Sequence, residues 1–380
     1  MANELKETLV AKNPLHTKLC DQLGIEYPII AFTHCKDVAV AVTNAGGFAV
    51  IGQTQHTPDE IDANIRWMRE KIGDKPFGVD LVFPASVPAV GSIDELLAQV
   101  PQEQKDYAEK IKSDHKVPKW RTYPDCWNLG WINKETPIKQ LDVVVDNKVP
   151  VLASGLGNPS FVLKRAHEAG MLVWGLVGKP RQAKAEIDAG IDAVIAQGYD
   201  AAGHTGNIGT FSIVPQCVEI AKDSGTPVIA GGGVTTGRHL AGALALGASG
   251  VWTGTVWLAS RESDVDMLLK EKLIESKATD TRHSACVSGF TMRTLNSTWH
   301  KEWAKPDAPK PAPAPYQLLL FAEIKASAFD HGLKDFMTEA AGQGVDFVTS
   351  MKPSRQIVLD MVEEALDVFD ELLGTDEDDE

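Results

Sequence analysis

The segment Ala196-Gln197-Gly198-Tyr199-Asp200-Ala201-Ala202-Gly203-His204-Thr205-Gly206 sets one imidazole among residues with almost no side chain. Imidazole ionises near neutrality, so it suits taking or giving a proton. Its small neighbours would let a bulky group come close to the backbone. Two further clusters suit an anion: Gly231-Gly232-Gly233, and Gly254-Thr255 within Trp252-Thr253-Gly254-Thr255. Glycine backbone N–H groups can point at an oxyanion with no Cβ in the way, and a following helix N-terminus adds positive potential. Each cluster alone reads equally as a tight turn, and His204 alone as a packed structural residue. Together they describe proton transfer beside a phosphate-bearing ligand.

Other reactive side chains carry less. His34 ends an apolar run and reads as either a site residue or a loop residue. Cys35 lacks a basic neighbour, so an inert thiol is expected. Lys179 reads as solvated. Trp120, Trp127 and Trp131 could close over a substrate or pack an insertion onto the body of the protein. The five cysteines form no CxxC and no paired spacing, which argues against a disulfide framework and against a zinc site. No metal is expected.

These groups need elements to hold them. Continuously apolar runs, as in strands buried on both faces, fall at Tyr27–Phe32, Gly46–Gly52, Phe77–Phe83, Val149–Ser154, Met171–Val177, Ala193–Gln197, Pro227–Gly231 and Gly250–Thr253. Helical patterns follow them, among them Pro58–Ile72, Pro180–Ala189, Val214–Ser224, Thr236–Leu246 and, after the last run, Asp264–Ser276. Eight strand–helix units predict a (β/α)8 TIM barrel over 15–280. An open doubly wound sheet would show an early GxGxxG, which is missing. In a barrel the three chemistry-bearing segments follow strands six, seven and eight at the C-terminal mouth, and loops seven and eight commonly grip phosphate. An insertion is expected over about 84–138, with one helix across Ile93–Ile111. A mostly helical C-terminal extension is expected over 281–374, packing on the barrel, with a Pro/Ala linker at Lys305–Pro315. Residues 375–380 read as a solvated acidic tail.

The chain has 380 residues and a formal net charge of −15, which argues against a nucleic-acid partner. Met1–Lys12 shows no apolar signal core and no run of 18 apolar residues occurs, so no membrane partner and a cytoplasmic location are expected.

The ordered series Leu23-Gly24-Ile25-Glu26-Tyr27-Pro28, Asn44-Ala45-Gly46-Gly47-Phe48, Pro76-Phe77-Gly78-Val79, the 197–206 loop, Ala230–Gly233, Leu246-Gly247-Ala248, Gly254-Thr255 and Ala341-Gly342-Gln343-Gly344 resembles the nitronate monooxygenase (2-nitropropane dioxygenase) family of FMN-dependent barrels. That family also contains FabK-type enoyl reductases and NADH:quinone reductases. The resemblance implies FMN, its phosphate on Gly232, Gly233, Gly254 and Thr255, with Trp252 and Thr253 also among the cofactor-binding residues. It implies that the isoalloxazine edge meets Asp80, Gln197 and the Ala202–Gly203 backbone, and that His204 is the base or proton donor. Three positions depart from the family pattern. Phe32-Thr33-His34 replaces a turn with Pro-Met. Asp80 stands where Asn is usual, and an ionised Asp can only accept a hydrogen bond. Ala201-Ala202-Gly203-His204 replaces Ala-Gly-Gly-His.

The implied activity is oxidation of an alkyl nitronate or related carbon acid by flavin and oxygen. The alternative is an NAD(P)H-dependent reductase of an enone, enoyl thioester or quinone. A flavin-binding barrel without turnover and a phosphosugar isomerase or aldolase barrel are further readings. Partners would be a small-molecule substrate with oxygen or NAD(P)H, and a homo-oligomer is open.

Overall fold

The computed structural model describes residues 13–83, 92–122, 135–155, 157 and 159–374. Strands β1 (Ile29–Thr33), β2 (Phe48–Gly52), β3 (Gly78–Asp80), β4 (Val151–Ser154), β5 (Leu172–Val177) and β6 (Ala193–Gln197) are joined by a two-residue β7 (Gly203–His204), then β8 (Val228–Gly231) and β9 (Gly250–Thr253). All of these but β7 pair in parallel and close into an eight-stranded barrel, β9 returning to β1 with Ile30 opposite Trp252. The helices in chain order are α1 (Lys18–Leu23), α2 (Lys36–Asn44), α3 (Pro58–Ile72), α4 (Ile93–Gln99), α5 (Gln102–Asp114), α6 (Thr136–Asp146), α7 (Ser160–Glu168), α8 (Pro180–Ala189), α9 (Thr210–Ala221) and α10 (Gly237–Ala245). After β9 come α11 (Thr255–Leu258), α12 (Met267–Glu275), α13 (Thr298–Trp303), α14 (Tyr316–Asp330) and α15 (Ser354–Leu373). The (β/α)8 barrel expected from the sequence is the observed fold.

Period-two alternation divides each strand between two cores. Ile30, Phe48, Val50, Ala153, Trp174, Ile195 and Trp252 fill the barrel interior. Their neighbours Ile29, Ala31, Ala49, Leu152, Val194 and Val251 face outward to the helices. No helix among the described residues is long and apolar enough to cross a membrane.

The structure corrects the sequence reading at several elements. The helix expected across Ile93–Ile111 is two, α4 and α5, because Pro101 lacks an N–H and stands as the N-cap of the second. The expected Val214 start of α9 lies instead at Thr210, whose N–H is capped by the Asp200 carboxylate at 2.7 Å. The mostly helical extension expected from residue 281 opens on two strands instead. β10 (Thr281–Ser284) and β11 (Met292–Leu295) form an antiparallel sheet whose third strand is β7. The Lys305–Pro315 stretch is no free linker, since Ala312 is buried and a Cβ on Gly289 would strike Ala312, Pro313 and Ala314.

The eighth helix of the ring is also not the expected one. α12 buries Leu269 and Leu273 in a separate core with Cys286, Trp299 and Ile324. α15 takes the ring position, packing against α10 on one side and α2 on the other. It brings Ile357, Val358, Met361, Val362 and Ala365 into the core between barrel and helices.

Candidate active site

Alternation fixes what faces the barrel mouth. Val79 points outward into the helix layer, so Gly78 and Asp80 point in. By the same count Phe32, Gly52, Gln197, Gly231 and Trp252 face the mouth or the layer just beneath it. Phe32 stacks on Trp252 with ring centroids 5.3 Å apart, which forms an apolar floor. Asp80 is 7% exposed, and no hydrogen bond or ion pair reaches its carboxyl among the described residues. Desolvation alone pushes its pKa up to about 7. The Gln197 amide donates to the Ala202 carbonyl at 3.2 Å, so this side chain holds the 198–204 loop.

That loop spends its glycines in different ways. A Cβ on Gly198 would lie 2.1 Å from the Thr210 hydroxyl, and one on Gly206 would lie 2.3 Å from the Gly178 carbonyl. Those two glycines let the protein's own loops meet. Gly203 differs: its φ is +70°, and an added Cβ would meet nothing within 4 Å.

His204 pairs with Met292, and Gly203 with Arg293, so β11 carries the imidazole. Nδ1 lies 3.4 Å from the Thr291 carbonyl, and Phe290 packs edge-on at 6.1 Å. A carbonyl partner makes Nδ1 the protonated nitrogen and leaves Nε2 as a bare acceptor. Desolvation holds the pKa of His204 below the usual 6.5 despite that hydrogen bond. Behind the loop, the buried Arg293 guanidinium donates to the Tyr199 carbonyl at 3.1 Å and to Thr281 Oγ1 at 2.9 Å, and lies over the Tyr199 ring. Thr205 Oγ1 and His283 Nε2 are 3.0 Å apart.

The two glycine clusters lie on β8 and β9. Gly232 and Gly233 take φ of +112° and +71°, a region that favours glycine. Gly254 opens α11, and a Cβ there would come no closer than 4.0 Å to any atom. The first-turn N–H groups of such a helix have no intrahelical acceptor. The N-terminus of the longer α10 is already answered, because Gly237 N–H donates to the Glu364 carboxylate at 2.6 Å. Thr253 turns its hydroxyl away, donating to the Ile30 carbonyl at 3.0 Å, and its own carbonyl accepts from Trp257 Nε1 at 3.0 Å. Thr255 Oγ1 accepts from Gly342 N–H at 2.9 Å. Gln343 N–H donates to the Asp200 carbonyl at 2.9 Å, and Thr235 Oγ1 is within reach of the Gly233 and Gly344 carbonyls. The 341–344 segment thus ties together the loops after β6, β8 and β9. A Cβ on Gly342 or Gly344 would collide with the Asp200 carbonyl or Thr235 Oγ1.

His34 belongs to the same mouth. Its ring lies over Gly52, where an added Cβ would be 2.4 Å from His34 Cε1, and Nδ1 is 3.2 Å from the Gly52 carbonyl. Solvent reaches it, yet desolvation by surrounding protein lowers its pKa, as for a group lining a cleft. Glu339 acts on it electrostatically and is itself paired with Lys325 at 3.2 Å. Sequence reasoning missed Glu339, Lys325 and Arg293, because each arrives from a distant segment with no motif around it. Cys35 donates to the Glu262 carbonyl at 3.2 Å, and burial pushes its thiol pKa up, which fits an inert thiol. Lys179 is exposed. Trp127 and Trp131 lie outside the described residues. Among the described residues, no cluster of His, Cys, Asp and Glu could hold a metal ion.

Comparison with known proteins gives this mouth a context. The family model for nitronate monooxygenase matches residues 16–364. A provisionally named monooxygenase of Mycobacterium tuberculosis is 35% identical, over 95% of this chain and 99% of that one. A provisionally named nitronate monooxygenase of Staphylococcus aureus is 30% identical, over 91% of this chain and 96% of that one. Among solved structures, a nitroalkane oxidase from Streptomyces ansochromogenes superimposes with a TM-score of 0.77 at 27% identity, over 93% of this chain and 99% of that one. FabK from Thermotoga maritima superimposes with a TM-score of 0.72 at 27% identity, over 95% and 99%. With the match running through every barrel strand and on into α15, the chain belongs to the nitronate monooxygenase family of flavin-dependent oxidoreductases.

Proposed function

We propose that this protein is an FMN-dependent oxidoreductase that oxidises an alkyl nitronate or a related carbon acid with oxygen, with His204 as the base. The observation that carries this reading is the setting of His204: Nδ1 held by the Thr291 carbonyl, a neighbouring glycine that leaves open space, and a pKa lowered by desolvation. A neutral nitroalkane would pass its α-proton to Nε2, and the C–H electron pair would stay on the substrate as the nitronate. A substrate supplied as the nitronate needs no such transfer.

The mouth suits a flavin mononucleotide. Gly232, Gly233, Gly254 and Thr255 offer backbone N–H groups for the phosphate, and the open Cβ direction at Gly254 leaves room for it. Asp80, Gln197 and the Ala202–Gly203 backbone would meet the ring, and Phe32 and Trp252 supply an apolar floor. Bound there, FMN supplies a two-electron acceptor that oxygen can recycle. Holding the carbon acid, the base and the cofactor in one geometry supplies much of the rate.

The reductase reading has support from the FabK likeness. The nitroalkane oxidase superimposes better at the same identity, which favours the oxidase chemistry. The test is denaturation of the purified protein with mass analysis of the released flavin, then oxygen uptake with a nitronate and no nicotinamide. FMN and nicotinamide-free uptake are expected. Uptake only with NADH or NADPH would favour the reductase, FMN without turnover the binding barrel, and no flavin a phosphosugar-type barrel.

A further inference from the structure

Asp80 stands out among the polar groups of the mouth because no hydrogen bond or ion pair answers its carboxyl among the described residues. It ends β3, faces inward by alternation, and is 7% exposed. Its flanking partners in register are Gly52 on β2 and Ala153 on β4, neither with a polar side chain. The titratable groups around the adjoining His34 come from separate elements. His34 lies over Gly52 from the end of β1, its Nδ1 donating to the Gly52 carbonyl at 3.2 Å. His56 follows β2, its Nδ1 buried and without a partner. Glu339 comes from the C-terminal segment, already engaged by Lys325 and by Ala340 N–H. Desolvation lowers the pKa of His34, and desolvation is the one influence on the Asp80 carboxyl among the described residues. An ionised carboxylate there would be both desolvated and unpaired, which proteins avoid by neutralising the group.

We propose that Asp80 enters the cofactor site as the protonated acid and donates its O–H to an acceptor on the flavin ring, so that FMN binding is coupled to a proton on this carboxyl. This rests on the FMN reading above. A neutral carboxyl offers a donor and an acceptor, as an amide does, whereas a carboxylate offers acceptors only. Removing the proton deletes the donor and sets a negative charge against an electron-rich ring. The sign follows by linkage: the form that binds FMN is the protonated one, so affinity is retained at low pH and lost as pH rises through the ionisation of Asp80, near 7 in the ligand-free structure.

The experiment dilutes holoprotein across a pH series and follows the fluorescence of released FMN, for wild type and Asp80→Asn. Asparagine keeps the shape and the donor but cannot titrate, and the comparison cancels the titration of the FMN phosphate itself. Wild type should weaken relative to the variant by about tenfold per pH unit above neutrality, until the bound-state ionisation is reached. Parallel curves with FMN bound to both proteins, or wild type tightening as pH rises, would overturn the coupling and leave the flavin reading standing. Neither protein holding FMN at any pH would overturn both. A second measurement reads the proton directly. Holoprotein at mildly acidic pH should show an infrared carbonyl band of a protonated carboxylic acid that is missing in Asp80→Asn and fades in alkaline solution. No such difference between wild type and variant would also sink the proposal.

Discussion

The base role proposed for His204 depends on the nitrogen that would not take the proton. Thr291 occupies Nδ1, and the partly apolar surroundings, Phe290 among them, disfavour the imidazolium. A base with its pKa below 6.5 is already neutral at pH 7, so activity on a neutral carbon acid should be flat there and fall only in acid. His204→Asn should keep FMN, because the backbone contacts proposed for its phosphate do not involve the imidazole. Turnover of a neutral nitroalkane should drop by roughly 10²–10⁴, while a pre-formed nitronate should lose far less. Stopped-flow flavin absorbance with the two substrate forms checks this; equal losses on both would remove His204 from the proton transfer. The histidine was legible in sequence from its glycine neighbours and its place after an apolar run. Its controlling partners were not, since Phe290 and Thr291 reach it only through the β7–β11 pairing. Asp80 marks the opposite limit. Its residue type reads as an ionised acceptor, and only burial without a partner reverses that.

At the level of elements, strands were easier to read than what lies between them. A barrel strand is apolar on both faces, so its run of residues is self-announcing. A helix start set by a side chain ten positions away, as Asp200 sets α9, leaves no local trace. Nor does a motif such as Ala341–Gly344 say which loops it braces until the close approaches at Gly342 and Gly344 are seen. The α8–β5 contact holds another such detail. Gly175 leaves a hollow that the Glu186 carboxyl fills, with Oε2 buried and unpartnered. Desolvation pushes the Glu186 pKa up to about 7 from the usual 4.5. A folded-state pKa raised above the unfolded one means that the folded state holds the proton more tightly. Stability from this site is therefore full below pH 4.5 and declines as pH rises through about 7. Glu186→Gln keeps the shape and removes the charge. It should raise the stability by on the order of 1–3 kcal/mol above pH 7, with little gain at the acid end of that window. Urea unfolding of both proteins along a pH series measures the difference, and a gain independent of pH would mean that the carboxyl does not titrate in the fold.

For the molecule as a whole, the alternating strand–helix rhythm was enough to predict the barrel, yet it assigned the closing helix to the wrong segment. Asp264–Ser276 has as good a helical pattern as any other, and nothing local says which core its apolar face will join. The structure sends α12 to the C-terminal core and brings α15 back to the ring. The approach is close: a Cβ on Gly237 of α10 would lie 2.4 Å from both the Met361 carbonyl and the Ala365 nitrogen of α15. Glu364 also answers the N-terminus of α10. The last helix is thus part of the barrel wall, not an appendage to it. Burying Ile357, Val358, Met361 and Val362 contributes roughly 1.5–3 kcal/mol for each side chain as an upper estimate. That total is comparable to the whole net stability of a domain, about 5–15 kcal/mol. A chain ending at Pro353 should therefore lose its cooperative thermal transition and fail to retain FMN, although every residue proposed to touch the cofactor remains. Met361→Ala, in the full chain, should keep the transition but lower its stability by about 2–5 kcal/mol. Calorimetry on both variants decides the matter. A truncated protein that melts cooperatively and stays yellow would show that the barrel closes without α15, and that the segment after β9 is an accessory layer after all.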